Sequence, residues 1–490
     1  MSESRIPPDA KAAPVTRAVS PEADADIPPA PQSTGESIPG PAPATPGLWS
    51  ALRPLLLRLH FYAGILVGPF ILVAALTGLA YTVTPQVESM LYEHELKVTP
   101  RGSAEPLAGQ VAAAKRAVPD ATVLSVTKGA GPTDSTRVTF SKDDLPEGYT
   151  LTAFVDPYDN KVLGELKTFG QWLPARAWLD DLHRNLHLAG LGRNYSEIAA
   201  SWLWVEVLGG LALWAGTPRN RRRLRHLLLP RGGAKGRSRT LSWHGAVGLW
   251  ACVGLLALSA TGLTWSAHAG ASIGKIQDAL GGSTPAVTTA LPATDDSAGG
   301  TGRGTKDVGI DAVVAAARDA GLVGVLVITP PADVDSAYTV KENTRSWPEQ
   351  QDSVAVDPAT GKVTQKLDFD DFPLLAKLTS WGIDAHMGLL FGLANQIVLA
   401  LLAVAVIAMT LWGYRMWWLR RPTRAEAFAV GRAPAHGAWR RVPGRVLAPI
   451  MLLAAVIGYY VPFFGLPLLL FVLVDVAVGA VRRRRTGVTG

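Results

Sequence analysis

Two stretches of twenty residues decide the fold of this chain: HFYAGILVGPFILVAALTGL at 60–79 and HGAVGLWACVGLLALSATGL at 244–263. Each begins with a histidine, repeats a glycine four positions later and carries Thr-Gly-Leu from seventeen positions later. Neither stretch contains a charged residue, so each is long and apolar enough to cross a bilayer as a helix. The sequence therefore predicts a duplicated membrane protein with an imidazole near the first turn of two equivalent spans.

A second repeated pattern leads into two further apolar segments. The motif Trp-x-x-Asp-x-His occurs at 178–183 and again at 381–386. Polar, titratable rings that recur at the ends of membrane helices are costly to desolvate, and a bound cofactor is the simplest explanation for them.

Composition places the chain among membrane proteins. Of its 490 residues, 48% are hydrophobic and only 18% are charged. Residues 1–49 are rich in Pro, Ala and Ser and lack an apolar core segment, so we expect a disordered tail and no signal peptide. The single cysteine, Cys252, excludes an intramolecular disulfide and a cysteine-held iron–sulfur cluster.

The apolar segments predict six spans. The last two are interrupted by Pro462, Gly465 and Pro467, so a tight hairpin is favoured over one long kinked helix or a re-entrant hairpin. The predicted spans are 54–84, 190–216, 241–267, 387–413, 446–461 and 464–481.

Basic residues predict the orientation. The loop 217–240 carries nine Lys or Arg and no acidic residue, 414–445 carries eight Arg against one Glu, and the tail 482–490 is basic. Because such segments stay inside, both termini are expected in the cytoplasm. The segments 85–185 and 268–385 are then external. The net charge of +7 reflects topology, and no nucleic-acid partner is expected.

The two external segments are duplicated as well. Residues 155–162 and 356–363 share the pattern Val-Asp-Pro-x-x-x-Lys-Val, which predicts a hairpin. Each segment is therefore expected to be a small α+β module. Each hairpin is preceded by a helical patch and a strand-like run, at 107–118 and 137–140 in the first module and at 310–320 and 325–328 in the second.

The paired Val-Asp-Pro hairpins and the two His…Thr-Gly helices resemble the PepSY-associated transmembrane helix family, found among bacterial iron-regulated membrane proteins and ferric-siderophore reductases. The resemblance covers roughly residues 54–420. It implies four core helices, external PepSY modules and, in the reductase members, haem b held between helices. The chain departs from the family in its long N-terminal tail and additional C-terminal hairpin. It also lacks the Gly-rich dinucleotide or flavodoxin-like domain of some relatives.

Topology sorts the predicted ligands into two pairs. His60 and His244 open helices that run outward, so both lie near the cytoplasmic face, whereas His183 and His386 lie near the outer face. Imidazole is a common axial ligand of haem iron, and one haem b at each face would relay electrons across the bilayer. His187 lies four residues after His183 on the same helix face and is an alternative ligand, although the repeated motif favours His183.

Two functions from different classes follow. The first is a transmembrane di-haem b electron-transfer protein that reduces an external acceptor, with a ferric-siderophore (ferric-chelate) reductase as the enzyme that the resemblance implies. No nicotinamide or flavin fingerprint is present, so the electron donor would be a separate protein, a quinol or a flavin. The alternative is a non-catalytic membrane anchor whose PepSY modules bind peptides, inhibit a protease or assist metal handling.

Two acidic residues lie within the apolar spans, where ionisable groups are costly and often functional. Glu206 is expected either at a haem edge or proton path, or as a protonated carboxyl bonded to another helix. Asp475 is expected to pair with Arg482 or Arg483, or to mark a helix contact.

Other residues near the predicted ligands have supporting roles. Asp181 and Asp384 are candidates for orienting the histidines, and nearby glycines would let a flat macrocycle approach the helices. The remaining histidines, His94, His226, His268 and His436, have no repeated counterpart. Aromatic residues expected around the inner pocket are Phe61, Tyr62, Trp243 and Trp250.

Overall fold

The first span is bent. The computed structural model describes residues 47–218, 220, 224–291, 307–420, 434 and 437–486. Helices α1 (Leu48–Leu66) and α2 (Gly68–Tyr81) meet at an angle of 57°. Pro69 has no N–H to donate to the Ile65 carbonyl, and the Tyr414 hydroxyl donates to that carbonyl instead, at 3.1 Å. The predicted span 54–84 therefore contains a bend, because proline interrupts its hydrogen bonds.

The rest of the first half contains short helices, a four-stranded unit and one long helix. In chain order these are α3 (Thr84–Leu91), α4 (Glu93–Leu96), α5 (Leu107–Ala117), β1 (Thr122–Lys128), β2 (Thr136–Ser141), β3 (Tyr149–Val155), β4 (Val162–Phe169), α6 (Pro174–Asn185), α7 (Ala189–Ala215) and α8 (Leu224–Leu228).

The second half repeats this order, which confirms the duplication. Its elements are α9 (Gly236–Thr264), α10 (Ala269–Ala279), α11 (Ile310–Asp319), β5 (Leu326–Thr329), β6 (Tyr338–Glu342), β7 (Ser353–Val356), β8 (Val363–Leu367), a 3₁₀ turn (Phe369–Asp371), α12 (Leu374–His386) and α13 (Gly392–Trp418). A second 3₁₀ turn (Ala438–Arg441), α14 (Gly444–Tyr460) and α15 (Pro462–Thr486) complete the described chain.

The protein is a membrane protein with several apolar helices. Within the described residues, four helices are long and apolar enough to cross a bilayer, namely α7, α9, α13 and most of α15. The bent pair α1–α2 is a fifth candidate if it forms one span, and helix α14 is apolar but shorter. A Cβ added at Gly458 or at Gly465 would lie within 2.8 Å of the other glycine, so only glycines allow α14 and α15 this close.

The strands form one sheet. Its eight antiparallel strands run in the order β4-β3-β2-β1-β5-β6-β7-β8. Both predicted hairpins are confirmed, with Val155 opposite Val162 and Val356 opposite Val363. The two segments predicted as α+β modules share this sheet, because β1 and β5 pair along their edges and join the two units. Pairing satisfies backbone groups that two open edges would leave exposed.

Helices α5 and α11 cover one face of this sheet. Val126, Phe140, Ile328 and Val340 are fully buried in the core beneath them. The Asp311 carboxylate accepts the backbone N–H groups of residues 107 and 108, at 2.7 and 3.0 Å. Since those N–H groups begin α5, one repeat caps a helix of the other.

Candidate functional site

The ends of α6 and α12 bring His183 and His386 into one cavity of about 470 Å³ between the long helices. Nδ1 of His183 lies 2.9 Å from the Thr77 hydroxyl, and Nδ1 of His386 lies 2.6 Å from the Thr261 hydroxyl. A Cβ at Gly78 would lie 3.1 Å from Cε1 of His183, so glycine is needed for this approach. The threonine of each Thr-Gly pair thus contacts the histidine of the Trp-x-x-Asp-x-His motif in its own repeat.

These contacts select the ring nitrogen that is available to a ligand. Each hydroxyl donates to the carbonyl four residues earlier in its own helix, at 2.9 Å for Thr77 and 2.8 Å for Thr261. The hydroxyl oxygen therefore accepts from Nδ1–H, and Nε2 keeps its lone pair. Burial lowers the pKa of His183 and of His386 to about 4, so both rings are neutral at pH 7.

His60 and His244 lie in a second cavity of about 410 Å³. After the predicted orientation, we call these two histidines the inner pair and their cavity the inner cavity, and we call His183 and His386 the outer pair and their cavity the outer cavity. The ring centroids of His60 and His244 are 6.2 Å apart, and the ring planes are 77° apart. Nδ1 of His60 lies 2.7 Å from Oε2 of Glu206, and Nδ1 of His244 lies 3.0 Å from the backbone oxygen of Met409. Because a carbonyl only accepts, Nδ1 of His244 carries the proton and Nε2 is free to bind.

The two cavities have different surroundings. The inner cavity is lined by Arg53, Arg237 and Arg420, which lie next to the basic loops or the start of α1. The outer cavity is lined by Trp172 and Arg345, which belong to the sheet region. The two pairs therefore lie toward opposite ends of the helices. Each pair has one histidine from each repeat.

The rings of His60 and His244 have the spacing of two imidazoles on one metal. Imidazoles bound on opposite sides of one metal, with bonds of about 2 Å, place their ring centroids about 6 Å apart. His60 and His244 meet that spacing. The cavity volumes fall within the range of roughly 300–1,000 Å³ that is usual for ligand sites. The described residues include no group of three or more His, Cys, Asp or Glu suited to a metal ion, whereas haem needs only two protein ligands.

The model of the family described as the PepSY-associated TM region matches residues 57–420. This chain belongs to that family. The match covers both histidine pairs and the whole sheet. No curated protein matches the sequence significantly.

In this member of the PepSY-associated family, His187 lies apart from the outer cavity. Helix α6 ends at Asn185, and the backbone is left-handed at Leu186 and His187, so the helical spacing from His183 fails. Nδ1 of His187 lies 2.6 Å from Oδ2 of Asp181. His183 lines the cavity and His187 is absent from its lining.

Neither predicted orienting carboxylate contacts a cavity histidine. Asp181 is engaged by His187, and Asp384 accepts a hydrogen bond from Nε of Arg345 at 2.7 Å. Thr77 and Thr261 belong to the repeated pattern, but the pattern does not predict what they contact. The signal that marks them is their equal spacing in sequence from His60 and from His244.

The aromatic lining of the inner cavity also differs from expectation. Phe61 lines it, but Tyr62 packs under the Arg58 guanidinium at 4.8 Å. Trp243 is 43% exposed and Trp250 is 70% exposed, because both point outward from α9. The Trp and Tyr residues that line the cavity with Phe61 are Trp214, Tyr414 and Trp417.

Asp475 marks a helix contact. Its carboxylate forms a buried ion pair with Arg58, which fastens α15 to α1. The side chains of Arg482 and Arg483 lie outside the described part of the protein, as does His436. His94, His226 and His268 line neither cavity.

Proposed function

We propose that this protein is a transmembrane di-haem b electron-transfer protein that reduces an acceptor outside the membrane, such as a ferric chelate. The observation that carries the proposal is the arrangement of the histidines. Each of two cavities contains one imidazole from each repeat, and the inner rings have the spacing of two axial ligands.

His60 and His244 would hold the inner haem, and His183 and His386 the outer one. Haem supplies a one-electron carrier when bound. Thr77 and Thr261 keep the outer rings in the tautomer with a free Nε2, and the adjacent apolar helices exclude water from the rings. The electron donor is a separate protein, quinol or flavin on the cytoplasmic side.

We further propose six spans with both termini in the cytoplasm of a bacterial membrane and the two joined PepSY-like modules outside. The basic segments 217–240 and 414–445 support this orientation. The outer cavity adjoins the sheet region through Trp172 and Arg345. An external acceptor would therefore approach between the sheet and the helix ends.

Visible absorbance tests the cofactor. The purified protein, reduced with dithionite, should show the sharp bands of haem with two axial histidines at two haems per chain. A non-catalytic membrane anchor gives no such bands, so their absence from protein produced with an adequate haem supply would favour that second function.

Proteoliposomes test the reaction. Reductant is trapped inside, a ferric chelate is added outside, and an impermeant dye reports ferrous iron. The wild type should reduce external iron, and the variant His183→Ala, His386→Ala should lose this activity. His187→Ala serves as the control and should retain it. Equal iron reduction by the wild type and the double variant would leave the proposed reaction without support.

Thiol labelling tests the orientation. In a Cys252→Ser background, Ser103→Cys before α5 should react with an impermeant reagent added to intact cells. Ser238→Cys in the basic loop should react only after the membrane is opened. The reverse pattern would exchange the two faces.

A further inference from the structure

Four apolar side chains line both cavities: Ile71, Leu203, Leu255 and Val406. Each comes from a different long helix, namely α2, α7, α9 and α13. Ile71, Leu255 and Val406 are buried, and Leu203 packs against them in the same hydrophobic core. Each cavity therefore ends at this layer, which we term the apolar layer.

The duplication produces the apolar layer. Ile71 follows His60 by eleven positions, as Leu255 follows His244. In the other motif, Leu203 follows His183 by twenty positions, and Val406 has the same spacing from His386. The layer consists of two equivalent pairs, at the depth where the two cavities meet.

Polar groups lie on both sides of the apolar layer. The inner cavity is lined by Glu206, and the outer cavity by Asp180, Arg193 and Glu197. None of the four side chains shared by both cavities carries a polar atom. A closely packed apolar layer offers no hydrogen-bond partner to water, so it stays dry. A proton cannot cross a dry layer without a chain of hydrogen-bonding groups, whereas an electron needs no such chain.

We propose that the apolar layer is a seal that keeps water and protons from passing between the cavities while electrons cross. The inference rests on the proposed function for the electron current, but the barrier itself is independent of any cofactor. Two cavities that open toward opposite faces would otherwise form a path that dissipates the proton gradient. The duplication thus supplies both the two sites and the barrier between them.

Passive proton flux tests the seal. Wild-type protein and variants are placed in vesicles that contain a pH-sensitive dye, and a potassium gradient with valinomycin drives protons without any reductant. Combining Leu203→Ser with Leu255→Ser should raise the flux at least about tenfold, because the shorter side chains leave space and their hydroxyls give water the hydrogen-bond partners that the apolar layer lacks. The wild type should match protein-free vesicles.

Two controls carry the same substitution on the same helix as Leu255. Leu249 lines only the inner cavity and Leu258 only the outer one. Leu249→Ser and Leu258→Ser should leave the flux at the wild-type value. Unchanged flux in the double variant, or an equal rise in the controls, would overturn the proposal.

The haem spectrum of the same samples separates this proposal from the proposed function. Raised flux without haem would support the seal and contradict the redox function, and intact spectra with unchanged flux would do the reverse. If the double variant fails to insert, the single change Leu203→Ser at the half-buried position gives the same comparison with Leu249→Ser.

Discussion

The outer and inner histidine pairs are built differently, although both arise from one duplication. In the outer pair, the same residue type contacts Nδ1 in both repeats, through Thr77 and Thr261. In the inner pair, Glu206 and Met409 occupy equivalent positions, each twenty-three residues after the outer histidine of its repeat. One offers a carboxylate and the other only its backbone oxygen. The duplication places both contacts at equivalent positions, and the Glu206 side chain makes the inner site asymmetric.

This difference has an electrostatic consequence for the proposed electron path. A carboxylate 2.7 Å from a ligand ring stabilises the more positive, oxidised form of a bound haem. The outer pair has a neutral hydroxyl at each Nδ1. An ionised Glu206 would therefore make the inner haem the stronger reductant, which favours outward electron flow.

Loss of a ligand should have the largest effect. His244→Ala should remove the inner haem and His386→Ala the outer one, so each variant should keep about half of the haem while remaining inserted. Haem per chain is measured from the pyridine haemochrome spectrum. His268→Ala, which changes a ring outside both cavities, should keep all of it. Full haem content in both variants would contradict the assignment of His244 and His386 as haem ligands.

The threonine contacts come next. Combining Thr77→Val with Thr261→Val removes both acceptors of Nδ1–H at nearly constant volume. Haem affinity at the outer site should fall about tenfold or more, since partners that orient metal ligands have effects of that size. Haem titration of the apoprotein measures it. Thr264→Val is the control, because that hydroxyl donates within its own helix. An equal loss at the inner site would show that the threonines do not act on the outer pair alone.

The asymmetry of the inner pair is tested at Glu206. Glu206→Gln keeps the size but removes the charge, so the inner midpoint potential should rise by tens of millivolts while the outer one stays constant. Spectroelectrochemical titration resolves the two. Met409→Leu is the matched control at the equivalent position, where the backbone contact survives. An inner potential that is the same in Glu206→Gln as in the wild type would remove the electrostatic difference between the pairs.

The smallest effect concerns the joint between the repeats outside the cavities. Asp311→Ala removes the cap of α5 and should reduce the free energy of unfolding by about 1 kcal/mol, seen as a melting temperature about 1 °C lower by circular dichroism in detergent. Asp319→Ala, at the other end of α11, should leave it nearly unchanged. Haem content should be the same in both variants, because neither Asp311 nor Asp319 lines a cavity.

The sequence predicted the positions of the recurring elements better than their contacts. Both hairpins, the helical patches at 107–118 and 310–320 and the long helices after His183 and His386 appear close to where periodicity placed them. Pro69 is a sequence signal for the bend, since proline lacks the N–H that a continuous helix needs. The edge pairing of β1 with β5 has no such signal, because periodicity indicates a strand but not the strand with which it pairs.

By itself, the sequence determined the duplication, the apolar spans and the four repeated histidines, because these depend on spacing and hydrophobicity along the chain. Only the tertiary structure decided which atoms meet. It seated His183 against Thr77, turned His187 away at the end of α6, and paired Asp475 with Arg58. It also stacked Ile71, Leu203, Leu255 and Val406 into one layer between two cavities. Such contacts join residues far apart in sequence, and they depend on how whole helices pack.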